Sequence, residues 1–119
     1  MKLFIVFALL AIPLSATADM YAGERPMGPI YYTAANDRVS IGVGSLAGLS
    51  DSTCNWYGHV FTFLANTSGG EKMLTLFTAA KTSNHLIRIW YLPSSTPGTD
   101  HTSGCTEATM AVVTRVSIF

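Results

Sequence analysis

Charge is scarce in this chain. Seven of its 119 residues are Lys or Arg and seven are Asp or Glu, so the formal net charge is zero. No basic patch stands out, which argues against nucleic acid as a partner. There is no acidic tail, no internal repeat and no low-complexity tract. Cysteine is rarer still. Only Cys54 and Cys105 occur, and neither sits in a C-x-x-C or beside a histidine. A zinc site needs more Cys or His at metal-ligand spacing, so no metal or other cofactor is expected. Catalytic patterns are missing too. Gly42 to Gly48 (GVGSLAG) does not match G-x-S-x-G and lacks the Lys of a phosphate loop. His59, His85 and His101 fall on separate elements, and the acids are isolated, so no glycosidase-type carboxylate pair can be named. The Asp100-His101 pair lies among Ser and Thr and reads as solvated surface. No enzyme is expected.

What is present begins with an export signal. Lys2 is the one charge in the first eighteen residues, and Leu3 to Leu14 is apolar apart from the break at Pro13. Ser15, Ala16, Thr17 and Ala18 follow, and Ala16 and Ala18 suit signal peptidase, giving cleavage before Asp19. The apolar run is shorter than the ~20 residues that span a bilayer, and no later run is longer. Residues 19–119 then form one domain of 101 residues. Lys2 leaves with the signal, so six basic residues remain against seven acidic, a net charge of −1. The expected location is secreted or periplasmic. There, two cysteines default to a single disulfide.

The pattern along the mature chain is mainly β. Asp19 to Pro29, with its Gly and Pro residues, reads as an extended lead-in, and Ile30 to Thr33 as a short aromatic strand. Arg38 to Leu46 alternates, with Val39, Ile41 and Val43 on one face. Its two glycines imply a bend or a closely packed backbone. Gly48 to Thr53 is turn-rich. Asn55 to Ala65 reads as one central strand, with Tyr57, His59, Phe61 and Phe63 on one side and Trp56, Val60, Thr62 and Leu64 on the other. A helix follows the capping residues Asn66 to Gly70. Glu71 falls in its first turn, Met73, Leu74, Phe77 and Ala80 form its stripe, and Lys81 and Asn84 mark its end. His85 to Leu92 is a strong strand, with Ile87, Ile89 and Tyr91 opposing Leu86, Arg88, Trp90 and Leu92. Pro93 to Gly104 is a long loop. Met110 to Phe119 closes the chain, with Met110, Val112, Thr114, Val116 and Ile118 sharing a face. One helix set before the last two strands fits an α+β roll, specifically an OB-like small antiparallel barrel.

Three aromatic pairs stand out: Tyr31-Tyr32, Trp56-Tyr57 and Trp90-Tyr91. Strand neighbours face opposite ways, so each pair offers one ring to the core and one to solvent. An outward ring can serve as a platform for the flat C–H face of a sugar. Core packing is the competing use of the same rings. Asn66-Thr67-Ser68 is also an N-glycosylation sequon, which has meaning only in a eukaryotic host.

Three further stretches carry a family resemblance. They are Tyr31-Tyr32-Thr33, Ile87 to Pro93 (IRIWYLP) and Met110 to Thr114 (MAVVT). In these the chain resembles the receptor-binding B subunits of AB5 toxins of the subtilase-cytotoxin and pertussis-like type. The resemblance implies an OB barrel, a homopentameric ring, a cell-surface and possibly sialylated glycan as ligand, and a separate catalytic A subunit. It implies that Thr33 and Tyr91 bind the sugar, with Tyr32 and Trp90 beside them. The family's acidic pocket residue and its C-terminal Cys pair have no counterpart here. The reading from another class is a secreted or periplasmic protein-binding module, such as a small enzyme inhibitor, without a sugar site. A small hydrolase would need His59 or His101.

Overall fold

The computed structural model describes residues 19–118. The expected export signal lies outside them. The elements run β1 (Met20–Thr33), β2 (Arg38–Val43), β3 (Phe61–Leu64), α1 (Ser68–Ser83), β4 (Leu86–Leu92) and β5 (Ala111–Ile118). The strands close into a barrel in the order β1-β2-β3-β5-β4, with β4 pairing back to β1. Every contact is antiparallel except β3 with β5, which is parallel. The expected OB-like architecture is therefore present, and closure leaves no open sheet edge.

Period-two alternation builds the barrel interior. Val39 and Ile41 from β2, Phe61 and Phe63 from β3, and Ile87, Ile89 and Tyr91 from β4 all point inward and are buried. The Phe61 and Tyr91 rings meet at 5.0 Å between centroids. The helix adds Phe77 and Ala80, both fully buried, and Phe77 lies 5.6 Å from the ring of Phe63. Its ends follow the sequence signals. Thr67 is the N-cap and accepts from the Gly70 amide, and Asn84 ends the helix at φ 61°, in the left-handed region.

Three expectations are corrected. The lead-in is not separate: β1 is one 14-residue strand starting at Met20. Gly23, Gly28 and Pro29 sit at two irregularities, between Tyr21 and Glu24 against β4 and between Met27 and Ile30 against β2. These let one long strand bend around and serve two neighbours. Second, Asn55 to Ala65 is not continuous, because the strand starts only at Phe61. Third, β5 does not keep one face. Trp90 pairs with Arg115 and Tyr91 with Val113, leaving Thr114 as the extra residue of a bulge. Ala111 and Val113 therefore point inward before it, and Val116 and Ile118 pack on the core after it. Val112 is turned outward.

Close backbone approach explains two glycines. A Cβ on Gly42 would stand 2.5 Å from the carbonyl oxygen of Gly58, and one on Gly70 would stand 1.8 Å from that of Leu64. Neither neighbour is a flexible side-chain tip. Gly69, one residue earlier in the same helix, has nothing within 4 Å of its Cβ position. Replacing Gly70 by Ala should cost about 1–3 kcal/mol through overpacking. Gly69→Ala should be neutral or gain about 0.5 kcal/mol by restricting the unfolded chain. Urea unfolding of the two variants checks the opposite signs.

The disulfide joins Cys54 to Cys105 across 51 positions, with 5.7 Å between their Cα atoms. For a loop of that length the chain-entropy model assigns about 4 kcal/mol. Urea unfolding with and without reductant should differ by an amount of this order.

Candidate functional site

Two loops are unusually long. The β2–β3 connection takes residues 44–60 and the β4–β5 connection takes residues 93–110. They are zipped together rather than free. The Asn55 amide donates to Thr99 O at 2.9 Å, Gly98 N to Thr53 O at 2.9 Å, and Ser94 N to Ser52 O at 2.9 Å. The disulfide crosses the same seam and forms a small second core with Met110, against which Trp56 packs.

The segment read as the start of a strand, Trp56 to His59, is instead a tight hairpin. Trp56 and His59 exchange both backbone hydrogen bonds, at 2.8 and 2.9 Å. The two residues between them, Tyr57 and Gly58, have φ of 52° and 89°. Two-residue hairpins favour positive φ at both central positions, because that twist matches the flanking strands. Glycine meets this freely; a tyrosine does so against its preference. Asn55 Oδ1 accepts from the Gly58 amide at 2.7 Å and pins the turn.

This turn holds the Tyr57 ring out of the protein, 64% exposed. His101, from the other loop, stacks on it at 4.0 Å and 22°. Trp56 meets Tyr57 edge-on at 5.2 Å, and Tyr31 meets Trp56 edge-on at 5.3 Å. Below the stacked pair lies a cleft of about 610 Å³ between the loops, within the ~300–1,000 Å³ of small-ligand sites. Its polar lining includes Ser50, Asn55, Thr99 and Asp100. The Asp100 carboxylate is held by one oxygen. Oδ1 accepts from the Thr102 hydroxyl at 2.6 Å, the Thr102 amide at 2.9 Å and the Ser103 hydroxyl at 3.0 Å. These bonds, Thr102's first, hold its carboxyl below the usual range, and His101 adds to the effect. Oδ2 has no hydrogen-bond partner among the described residues.

The residues singled out by resemblance lie apart from this cleft. Tyr91 is 2% exposed, inside the barrel, with its hydroxyl 2.6 Å from Ser52 Oγ. Its ring is a core group and presents no face to a ligand in solvent. Trp90 is on the outer face, against Tyr21 at 4.8 Å and beneath the Arg115 guanidinium at 5.3 Å. Thr33 donates to Glu107 at 2.6 Å. Tyr32 donates to Asp37, a bond that raises its hydroxyl pKa. Of the four, only Tyr32 lines a described cleft, a second one of about 620 Å³ with Asp37, Asn66 and Glu71. There the Tyr32 and Asp37 groups already satisfy each other.

The sequence offers Tyr57 only as one ring of three aromatic pairs, set on a strand, and marks Asp100 and His101 as solvated surface; the structure brings the three together at the loop cleft. Asn55 and Gly58 flanking Trp56-Tyr57 were the available turn signal, outweighed by the run of aromatics. His59 and His101 are not brought together as a catalytic pair: His59 is buried, with Nδ1 3.0 Å from Trp56 O, while His101 is on the exposed stack. No group of residues able to hold a metal occurs among the described residues, and none of their helices is long and apolar enough to cross a membrane.

Comparison of the chain with protein-family models, with curated proteins and with solved structures finds no match.

The Asp100 geometry has a pH signature. Its folded-state pKa is depressed, so its contribution to stability is present above the unfolded carboxylate pKa and fades as pH falls through the folded value. Thr102→Ala removes the largest cause. Carboxyl NMR titration should show Asp100 moving up toward the ordinary carboxylate range, and the stability gap between variant and parent should close at strongly acid pH.

Proposed function

We propose that this chain is a carbohydrate-binding module acting outside the cytoplasm, with its sugar site in the cleft beneath Tyr57 and His101. The observation that carries this reading is the tyrosine itself. An aromatic residue is held at positive φ at the tip of a hairpin, ring outward, braced by a second ring from a disulfide-tied loop. Backbone strain of that kind persists only where the surroundings over-determine it, and it clusters at ligand sites. A braced ring offers a flat apolar face at little entropic cost. The neighbouring Asp100, Asn55 and Thr99 supply hydrogen-bonding groups for sugar hydroxyls.

The resemblance to toxin B subunits supports the same class of ligand, and the barrel order agrees with it. The resemblance puts the contacts at Thr33, Tyr32, Tyr91 and Trp90, whereas the site proposed here is the loop cleft. The resemblance also carries a ring of five copies and a catalytic A subunit encoded elsewhere. The native mass of the oxidised protein bears on that part: about five chains supports it, and a clean monomer removes it.

A protein-binding module is the second reading, favoured by one surface. Tyr21, Trp90, Leu92 and Val112 lie together on the outer faces of β1, β4 and β5, with Tyr21 51% and Val112 39% exposed. Tyr57→Asn separates the two. Asparagine tolerates positive φ, so the hairpin is kept while the ring is lost. Glycan binding should weaken at least tenfold, about 1.4 kcal/mol, with the thermal midpoint little changed. Unchanged glycan binding would remove this site, and a protein partner whose binding is lost only on Trp90→Ala would favour the outer strip.

A further inference from the structure

We infer that the cleft selects uncharged sugars and discriminates against sialylated and other acidic glycans. This rests on the carbohydrate-binding reading above and adds the chemical class of the ligand.

The charge of the lining decides it. Among the described residues, neither Lys nor Arg lines the cleft. An anionic sugar entering it would lose water without gaining an ion pair, which is costly unless the charge is compensated. Arg25 is bonded to the segment around Leu46 but does not itself line the cleft. Its Nε donates to Ala22 O at 2.6 Å, and its two Nη atoms donate to Ser45 O at 2.7 Å and Ala47 O at 2.8 Å. Three of its five N–H groups thus clamp the backbone on both sides of Leu46, which lines the cleft, and hold the guanidinium against that backbone.

The charge that does face the cleft is negative. Asp100 is fixed through Oδ1, which leaves Oδ2 for a ligand. An ionised carboxylate only accepts hydrogen bonds, so it matches hydroxyl donors and repels a second carboxylate. Vicinal hydroxyls of a neutral hexose fit that role, while a sialic acid carboxylate brings like charge. Asp51 adds to the same sign beside Ser50, another lining residue. His101 is the one lining group able to become a cation, and it is stacked on Tyr57.

The test uses the oxidised mature protein at a pH of about 8, above the ordinary imidazole range. Immobilised oligosaccharides are presented in matched pairs that differ only in a terminal sialic acid. The neutral member should bind at least tenfold tighter. Asp100→Asn keeps an acceptor for Thr102 but removes the charge, and it should narrow that gap. Tyr57→Asn should weaken binding of both members at least tenfold. Equal or tighter binding of the sialylated member, still weakened in Tyr57→Asn, overturns the inference and leaves the carbohydrate reading standing. Neutral-sugar binding unchanged by Tyr57→Asn overturns it by placing the site elsewhere. A failure of every pair to bind overturns both.

Discussion

The link between Cys54 and Cys105 is the constraint on which the functional end of this molecule depends. Connections of 17 and 18 residues, 44–60 and 93–110, carry little regular structure of their own. Loops longer than about 12–15 residues without such structure are uncommon in small domains. Here each is the other's scaffold. The disulfide sets their separation, backbone hydrogen bonds zip them in parallel, and Met110 and Trp56 give them a small apolar core outside the barrel. Without that seam the stack of Tyr57 on His101 would have no fixed geometry, since the two rings belong to different loops.

The barrel beneath has a separate logic. Its interior is filled by alternate residues of each strand and by Phe77 from the helix, so closure and core form together. Two devices let the five strands close. A 14-residue β1 with two irregularities reaches both β2 and β4, and a bulge at Thr114 re-aims β5. The barrel can therefore be stable while its loops carry ligand chemistry. This division of labour is common where loops bind and scaffolds hold.

Legibility in the sequence followed the strength of the local signal. The helix was readable to within a residue or two, because Thr67, Glu71, Lys81 and Asn84 mark both ends and the stripe between them has one period. The inward faces of β2 and β4 were readable for the same reason, through unbroken alternation in RVSIGV and LIRIWYL. The β5 face was not, because a bulge is a property of a strand pair and leaves no mark on one strand. Trp56 to His59 misled in the opposite direction. Its residues favour strands, yet Gly58 turns the chain back, and the twist of a two-residue hairpin overrides Tyr57's own preference.

The sequence by itself determined the fold class, the helix, most of the core and the cysteine pairing, since two cysteines admit one intramolecular bridge. These follow from periodicity, composition and capping, which act over a few residues. Only the tertiary structure decided which aromatic ring faces solvent over a cleft. Tyr91 and Tyr57 are each the second member of a Trp-Tyr pair, and the flanking Asn55 and Gly58 mark a turn at Tyr57 without saying which ring lies over a cleft. One points into a closed barrel and bonds to Ser52. The other sits at a hairpin tip and stacks on a histidine 44 positions away. That difference comes from barrel closure and a loop-to-loop cross-link, both of them contacts between distant parts of the chain.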